Sequence, residues 1–403
     1  MSPPDPVRPA GAAELRGADL AGPPLLYVSN GNIPSRWAHT VQTVMMAEAL
    51  ATLVPGFRLL IATSLAERVR PRVDLWRWYG VERPFPLVRP CLWLWRRDPL
   101  FATVFEPRFS RVADRCAALL RPHLVWTRSY PAAAGWLRRG IPVLFEAHSL
   151  PAPRWRHELA SVRTSPLLRG FVTNSEPLAD AFRAAGVRPE AVAAFPNASE
   201  PRLLRLDRAD RGAARAALGI APDAAVALYV GSLSQAKGVE TLLGAAARLQ
   251  AVTFAVLGGS ATDVEVWRSR AGTATNVDFR GFVAHGDLPA WFTAADFGLF
   301  PNSNDDEHAA CTSPLKVLEY AAAGLPVVAA AIPAIAAWLG DGGHALLHRP
   351  DDDADLARVL GQAVADPAPA HAGAARARER ARGYTWLARA RAILERFAPE
   401  FLA

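Results

Sequence analysis

Short apolar runs bounded by turn residues alternate with helix-like stretches along this chain, and the alternation occurs in two successive series. In the first series the runs are Leu25–Ser29, Leu59–Thr63, Leu124–Thr127, Val143–Glu146 and Phe171–Thr173. In the second they are Val226–Val230, Thr253–Leu257, Val277–Phe279, Phe297–Phe300 and Pro326–Ala329. Runs this short, without a polar partner at every second residue, suit strands buried on both faces of a parallel sheet. Between them lie stretches of helical character, among them Ala38–Leu53, Val239–Gln250 and Leu315–Ala323. Strand–helix alternation in both halves predicts an α/β fold of two doubly wound, Rossmann-like domains facing a cleft.

The pattern breaks at Asn197–Glu200 and the charged stretch that runs to Arg211. We therefore expect a loose tail at 1–23, a first domain at 24–205, a second at 206–384, and a terminal helix at 385–403. That helix carries Trp386, Leu387, Ala390, Ile393, Leu394 and Phe397 at helical spacing, a stripe fit to pack back on the first domain. In such sheets ligands sit beyond the carboxyl ends of the strands, so the loops after strands are where chemistry is expected.

A chain of 403 residues is long enough for two cores. Cys91, Cys116 and Cys311 show neither paired nor metal-type spacing, which speaks against a disulfide framework and for a reducing, cytoplasmic setting. No signal-peptide run opens the sequence. The uncharged run Ala321–Gly340 contains Gly324, Pro326 and Pro333, and reads as a buried strand and turn in place of a membrane span. Residues 1–205 hold 27 arginines against 16 acids, so the net charge of +7 is concentrated in the first half. That surplus points either to a solvated arginine-rich surface or to an anionic partner, including the inner face of a membrane. The mixture Trp76-Arg77-Trp78-Tyr79 with Trp93–Arg97 fits such an interface, and equally fits aromatics packed under a domain edge. No nucleic-acid module is visible.

Two loops of the second half have the character of phosphate sites. After the strand ending at Val230 comes Gly231-Ser232-Leu233-Ser234-Gln235-Ala236-Lys237-Gly238, and then a helix. Gly231 permits a tight turn, and Lys237 stands beside the free amides of a helix start, where an anion is stabilised. The spacing differs from a Walker loop, whose lysine adjoins Ser or Thr. The second loop is Thr312-Ser313-Pro314-Leu315-Lys316-Val317-Leu318-Glu319. Thr312 or Ser313 can cap its helix, Pro314 suits the first turn, and Leu315 and Lys316 offer amides to a ligand. Glu319 is either a carboxylate for a ribose diol or part of an ordinary helix surface. The chain has 43 arginines and only two lysines, Lys237 and Lys316, and both stand at these loops. Where arginine's planar fork would serve, this chain uses arginine; the lysines mark places for a compact ammonium.

These segments resemble the retaining, nucleotide-sugar-dependent glycosyltransferases of the two-Rossmann (GT-B) type, close to the family 4, group 1 enzymes. The likeness runs from Tyr27 to the final helix. It is strongest in Tyr229–Leu233 through Lys237-Gly238, and in Ser313–Tyr320 through Gly324–Val328. Asn30–Pro34, Phe145–His148, Asn174-Ser175, Pro196-Asn197 and Gly281–Val283 add support. The resemblance implies that Gly231, Ser232 and Lys237, with Ser313, Pro314, Leu315 and Lys316, hold the donor diphosphate, and that Gly31 lies near it. It implies that Glu319 holds the ribose and that Phe282 and Val283 meet the base. His148 would face the sugar, with Glu307, Cys311 and Thr312 from the loop before the second helix. Catalysis would rest on His148, Lys237 and Glu319, with no cofactor or metal.

Two positions depart from the family pattern. Ser232 stands where arginine is common, and Cys311 stands where a glutamate is common, which puts the donor's identity in question more than the reaction class. The implied partners are a nucleoside-diphosphate sugar, a glycan or lipid-linked glycan as acceptor, and an anionic membrane surface in peripheral contact. A sugar-nucleotide epimerase and a non-catalytic binding subunit remain as alternatives on the same architecture.

Overall fold

The structure, a computed structural model, describes residues 24–31, 33–61, 63–64, 73–92, 106–272, 274–305, 313–335, 338–339 and 343–402. Its strands are β1 (Leu25–Ser29), β2 (Arg58–Ile61), β3 (Thr63–Ser64), β4 (Leu87–Val88), β5 (Cys91–Leu92), β6 (Leu124–Thr127), β7 (Val143–Ala147), β8 (Leu168–Thr173) and β9 (Val192–Ala194) in the first half. The second half contributes β10 (Ala225–Val230), β11 (Val252–Leu257), β12 (Val277–Gly281), β13 (Phe297–Phe300), β14 (Val327–Ala330) and β15 (Leu346–His348). All pairings are parallel. One sheet has the order β4-β2-β1-β6-β7-β8-β9 and the other β12-β11-β10-β13-β14-β15, with β3 and β5 forming a small pair. This is the doubly wound α/β architecture expected from the alternating runs.

Each sheet reverses its strand order once. The switch lies between β1 and β6 in the first and between β10 and β13 in the second. Connections on either side of a switch leave in opposite directions, which opens a crevice at the carboxyl ends of the two strands. These two crevices position everything that follows.

The helix Ala38–Leu53 is buried along most of its surface because it is covered twice, by the first sheet and by the terminal helix Trp386–Phe397. Trp386, Ile393, Leu394 and Phe397 share a core with Val44, Met45, Leu50 and Tyr27. Each of those large side chains contributes about 1.5–3 kcal/mol of burial. Gly170 in β8 makes the docking possible: a Cβ there would lie 2.5 Å from the Phe397 ring. Thr385 caps the helix, its Oγ accepting from the Ala388 amide at 3.2 Å.

The chain passes between the halves at two adjacent places. Ser199 donates its amide to the Tyr384 carbonyl at 2.8 Å, and Trp386 returns one to Ser199 at 3.1 Å. A third contact is made by the short helix Leu75–Tyr79, whose Trp78 stacks on Phe282 at 5.2 Å between ring centres. Trp76 meets Phe85 edge-on and Tyr79 is buried, so these aromatics pack inward; Trp93–Arg97 lie outside the described residues. The run Ala321–Gly340 contains the end of a helix, β14 and a turn. Among the described residues no helix is long and apolar enough to cross a membrane.

Candidate active site

At the switch point of the second sheet three segments converge. The first follows β10. Gly231 leaves the strand so close to its neighbours that a Cβ would lie 2.6 Å from the Tyr229 hydroxyl. That hydroxyl donates to the Ser232 carbonyl at 2.7 Å and so fixes the turn from below. Ser232 itself is exposed, and Lys237 closes a single 3-10 turn, Gln235–Lys237, immediately before the helix Val239–Arg248. Gly238 takes φ +69° with the space for a Cβ filled by the Pro301 carbonyl, 1.9 Å away. Any other residue there forces apart the loop after β10 and the loop after β13. The second segment is that loop after β13, where the Ser303 amide donates to the Ala236 carbonyl at 3.1 Å.

The third segment is the start of the helix Leu315–Ala322. Among the described residues no side chain caps it: Ser313 is engaged elsewhere, its Oγ accepting from the Asn197 amide at 2.8 Å and its carbonyl from Asn197 Nδ2 at 2.7 Å. The cap expected from Ser313 is therefore a tether to the crossover between the domains. Tyr320, one turn on, is fully buried and its hydroxyl accepts from the Val230 amide at 3.1 Å. This bond ties the helix to the end of β10 and holds both phosphate-loop candidates at one place. Glu307, Cys311 and Thr312 lie outside the described residues.

Lys316 and Glu319 sit differently from each other. Glu319 is fully buried, and the Lys316 ammonium is paired with its Oε2. Among the described residues its Oε1 has no hydrogen-bond partner, and it lies 3.8 Å from His285 Nε2. His285 in turn is bonded to Glu200, whose other oxygen is paired with Arg202. Burial alone would push the Glu200 carboxyl up, but His285 and Arg202 hold it down at about 2. Glu200, His285 and Glu319 have ligand-type atoms within 4.8 Å of one another, a spacing that could hold a cation. Each carboxylate here already has a basic partner, which makes the cluster a charge-balanced internal network. A ribose diol can reach Glu319 only after its neighbours move.

Val283 and Phe282 follow the glycine-ended strand β12, with Gly281 at φ +68°. Phe282 is 38% exposed and presents one face to Trp78 of the opposite domain. The two sequence elements therefore meet across the cleft, although the contact is aromatic on aromatic.

Across the cleft, Gly31 follows β1 and is buried, its amide donating to Ser29 Oγ at 3.1 Å. His148 follows β7. Its Nε2 lies 2.8 Å from Glu146 Oε1, and Glu146 is also bonded by Trp126 Nε1 at 3.0 Å and Arg389 Nη2 at 2.9 Å. Burial would raise the Glu146 carboxyl, but the Arg389 guanidinium and His148 keep it well below the usual carboxylate range. Burial and the Arg128 charge lower the His148 imidazole to about 4. At neutral pH Glu146 can then only accept, so His148 is neutral, carries its hydrogen on Nε2 and keeps the Nδ1 lone pair.

The sequence names Tyr229, Tyr320 and Asn197 only within matching segments and does not show the bonds that they make, and it gives no sign of Arg389. Both tyrosines sit inside apolar runs, where a polar tip leaves no periodic signal; Arg389 is one arginine among 43.

Residues 224–366 match the model of a family described as "Glycosyl transferases group 1". A D-inositol 3-phosphate glycosyltransferase of Stackebrandtia nassauensis is 31% identical over 288 residues, covering 63% of this chain and 62% of that protein. One from Actinosynnema mirum is 29% identical, covering 62% and 66%. In both, the match spans less than two thirds of the relative's length. Among solved structures, the sucrose-phosphate synthase of Thermosynechococcus elongatus aligns with a TM-score of 0.73 at 22% identity, covering 94% of this chain and 99% of that one. Anabaena HepE, solved with UDP and glucose, aligns at 0.70 and 18%, covering 92% and 98%. Residues 224–366 are thus a group 1 glycosyltransferase domain, carried in a chain with the two-domain fold of the GT-B glycosyltransferases.

Proposed function

We propose that the chain transfers a sugar from a nucleoside-diphosphate donor to an acceptor, with retention at the anomeric carbon and without a metal. The observation that carries this reading is the convergence of the Gly231–Gly238 loop and the Ser313–Lys316 helix start at one switch point, opposite His148 in the other domain. In the reaction the bond from the sugar's anomeric carbon to the diphosphate oxygen breaks through an oxocarbenium-like state. Charge grows on the leaving diphosphate, where Lys237 and the backbone amides of Ser313, Leu315 and Lys316 supply fixed positive potential. The acceptor oxygen attacks from the same face and passes its proton to the departing phosphate. His148, neutral and with a free lone pair on Nδ1, accepts a hydrogen bond from a donor-sugar hydroxyl. Glu319 takes the ribose once the Lys316 and His285 contacts open, and the Gly281–Val283 turn receives the base.

Anabaena HepE has also been solved with UDP-glucose, which makes a UDP-hexose the first donor to test. A glycan or lipid-linked glycan remains our proposed acceptor. The name carried by the curated relatives adds a phosphorylated cyclitol to those worth testing, and the basic first half suits an anionic acceptor. We propose a cytoplasmic site of action, with the arginine-rich first domain toward an anionic membrane. Incubation with a panel of nucleotide sugars, with and without membrane extract, decides the class. Acceptor-dependent release of nucleoside diphosphate is the expected result. An interconverted donor would instead identify an epimerase, and saturable binding without turnover a binding subunit.

A further inference from the structure

His148 is connected to the opposite end of the sequence. Arg389 lies in the terminal helix, its side chain 3% exposed, 243 positions from Glu146. Its Nη2 donates to Glu146 Oε1, the same oxygen that His148 Nε2 reaches at 2.8 Å. Its Nε donates to the carbonyls of Phe195 and Pro196 at 3.3 Å and 2.9 Å, on the crossover just before Asn197. Asn197 then holds Ser313 at the phosphate-loop helix. Hydrogen bonds on either side of the Pro196–Asn197 peptide link thus join the first-domain histidine to the second-domain loop, and Arg389 is the branch point.

A buried carboxylate survives in ionised form only with a cation beside it. Without Arg389, Glu146 would gain a proton, and a protonated acid can donate to the imidazole nitrogen that it now accepts from. The hydrogen on His148 would then move to Nδ1, and the lone pair would turn from the cleft to Glu146. We propose that Arg389 is a positioning residue for the transfer reaction, acting through Glu146 to keep His148 as the Nε2–H tautomer. The terminal helix therefore supplies part of the catalytic machinery as well as covering the first domain. This inference rests on the transferase reading given above.

A merely structural arginine and a positioning one are separated by a double-mutant cycle. Arg389→Met should lower kcat at saturating donor on the order of 10–100-fold, the scale of losing one charge-assisted hydrogen bond to a buried group. In a His148→Ala background the same change should cost less than about threefold, because the residue through which it acts is gone. Arg389→Lys, which keeps a cation, should recover part of the loss. Equal losses in both backgrounds overturn the proposal. If Arg389→Met does not fold, Glu146→Gln takes its place in the same cycle with the same criterion. A second readout needs no turnover: the 15N imidazole spectrum of the full chain at pH 7. Wild type should show His148 with hydrogen on Nε2, and the Arg389 or Glu146 variants should shift it. Unchanged His148 nitrogens overturn the proposal even for a protein that turns over no donor, so its failure is distinct from failure of the transferase reading.

Discussion

At the scale of single residues, the site keeps two neighbouring groups from taking up protons, one as a neutral imidazole and the other as an ionised carboxylate. His148 is held to about 4 by burial and by Arg128, while Glu146 stays ionised against its own burial because of Arg389. Both groups bind protons less readily when folded than when unfolded. Between about pH 6.5 and 4 the unfolded chain takes up a proton at His148 that the folded chain refuses, so stability falls as the pH falls. Below the ordinary carboxylate range Glu146 adds a loss of the same sign. Thermal unfolding from pH 7 to pH 4 should show a declining Tm, and His148→Gln should flatten the upper part of that decline. A wild-type Tm that holds or rises on acidification contradicts the assignment. The lysines Lys237 and Lys316 stood out in the sequence because a chain that spends arginine everywhere else placed them at two loop–helix junctions. Their difference did not stand out: the i,i+3 pairing of Lys316 with Glu319 is a side-chain choice that spacing permits but does not require.

At the scale of elements, glycines decide which pieces can touch. The strands and the helix Ala38–Leu53 were legible because burial on both sides leaves apolar runs that only a parallel sheet or a covered helix can use. The crossover at 195–200 showed in the sequence only as a break in the pattern, and its contacts were not legible, since they are bonds to Tyr384, Ser313 and Arg389 in distant parts of the chain. Gly170 likewise looks unremarkable within its strand, yet Phe397 rests on it. Gly170→Ala places a methyl group 2.5 Å from that ring and should lift the terminal helix. We expect a loss of about 1–3 kcal/mol in chemical denaturation, the usual range for overpacking. Because the helix carries Arg389, hydrogen exchange around Glu146 should quicken in the same variant. A variant as stable as wild type would show that the contact is slack.

At the scale of the molecule, two sheets turn their switch points toward each other, and a few contacts set how far apart they stand. Gly286 approaches the other domain so closely that a Cβ would lie 2.0 Å from the Arg77 carbonyl. Arg202 bridges the same gap, its Nη2 donating to the carbonyls of Tyr79 at 3.4 Å and His285 at 3.3 Å. Gly286→Ala should therefore widen the cleft, seen as a larger radius of gyration in solution scattering and a raised donor KM. Unchanged scattering and KM would show that this close approach does not set the separation of the domains. The arginine surplus of the first half also takes on a second meaning at this scale. Arg169 and Arg188 donate to backbone carbonyls of the fold, at 3.3 Å and 3.0 Å, so part of the basic charge is structural in place of being presented to a partner.

We propose that the second-domain cradle stabilises a leaving diphosphate through Lys237. Acceptor-dependent release of nucleoside diphosphate, measured for wild type and Lys237→Ala with the same donor and membrane extract, tests it most directly. Wild type should turn over, and the variant should lose on the order of 100-fold, the scale of removing one preorganised charge from a developing anion. A folded Lys237→Ala protein with wild-type turnover would contradict it.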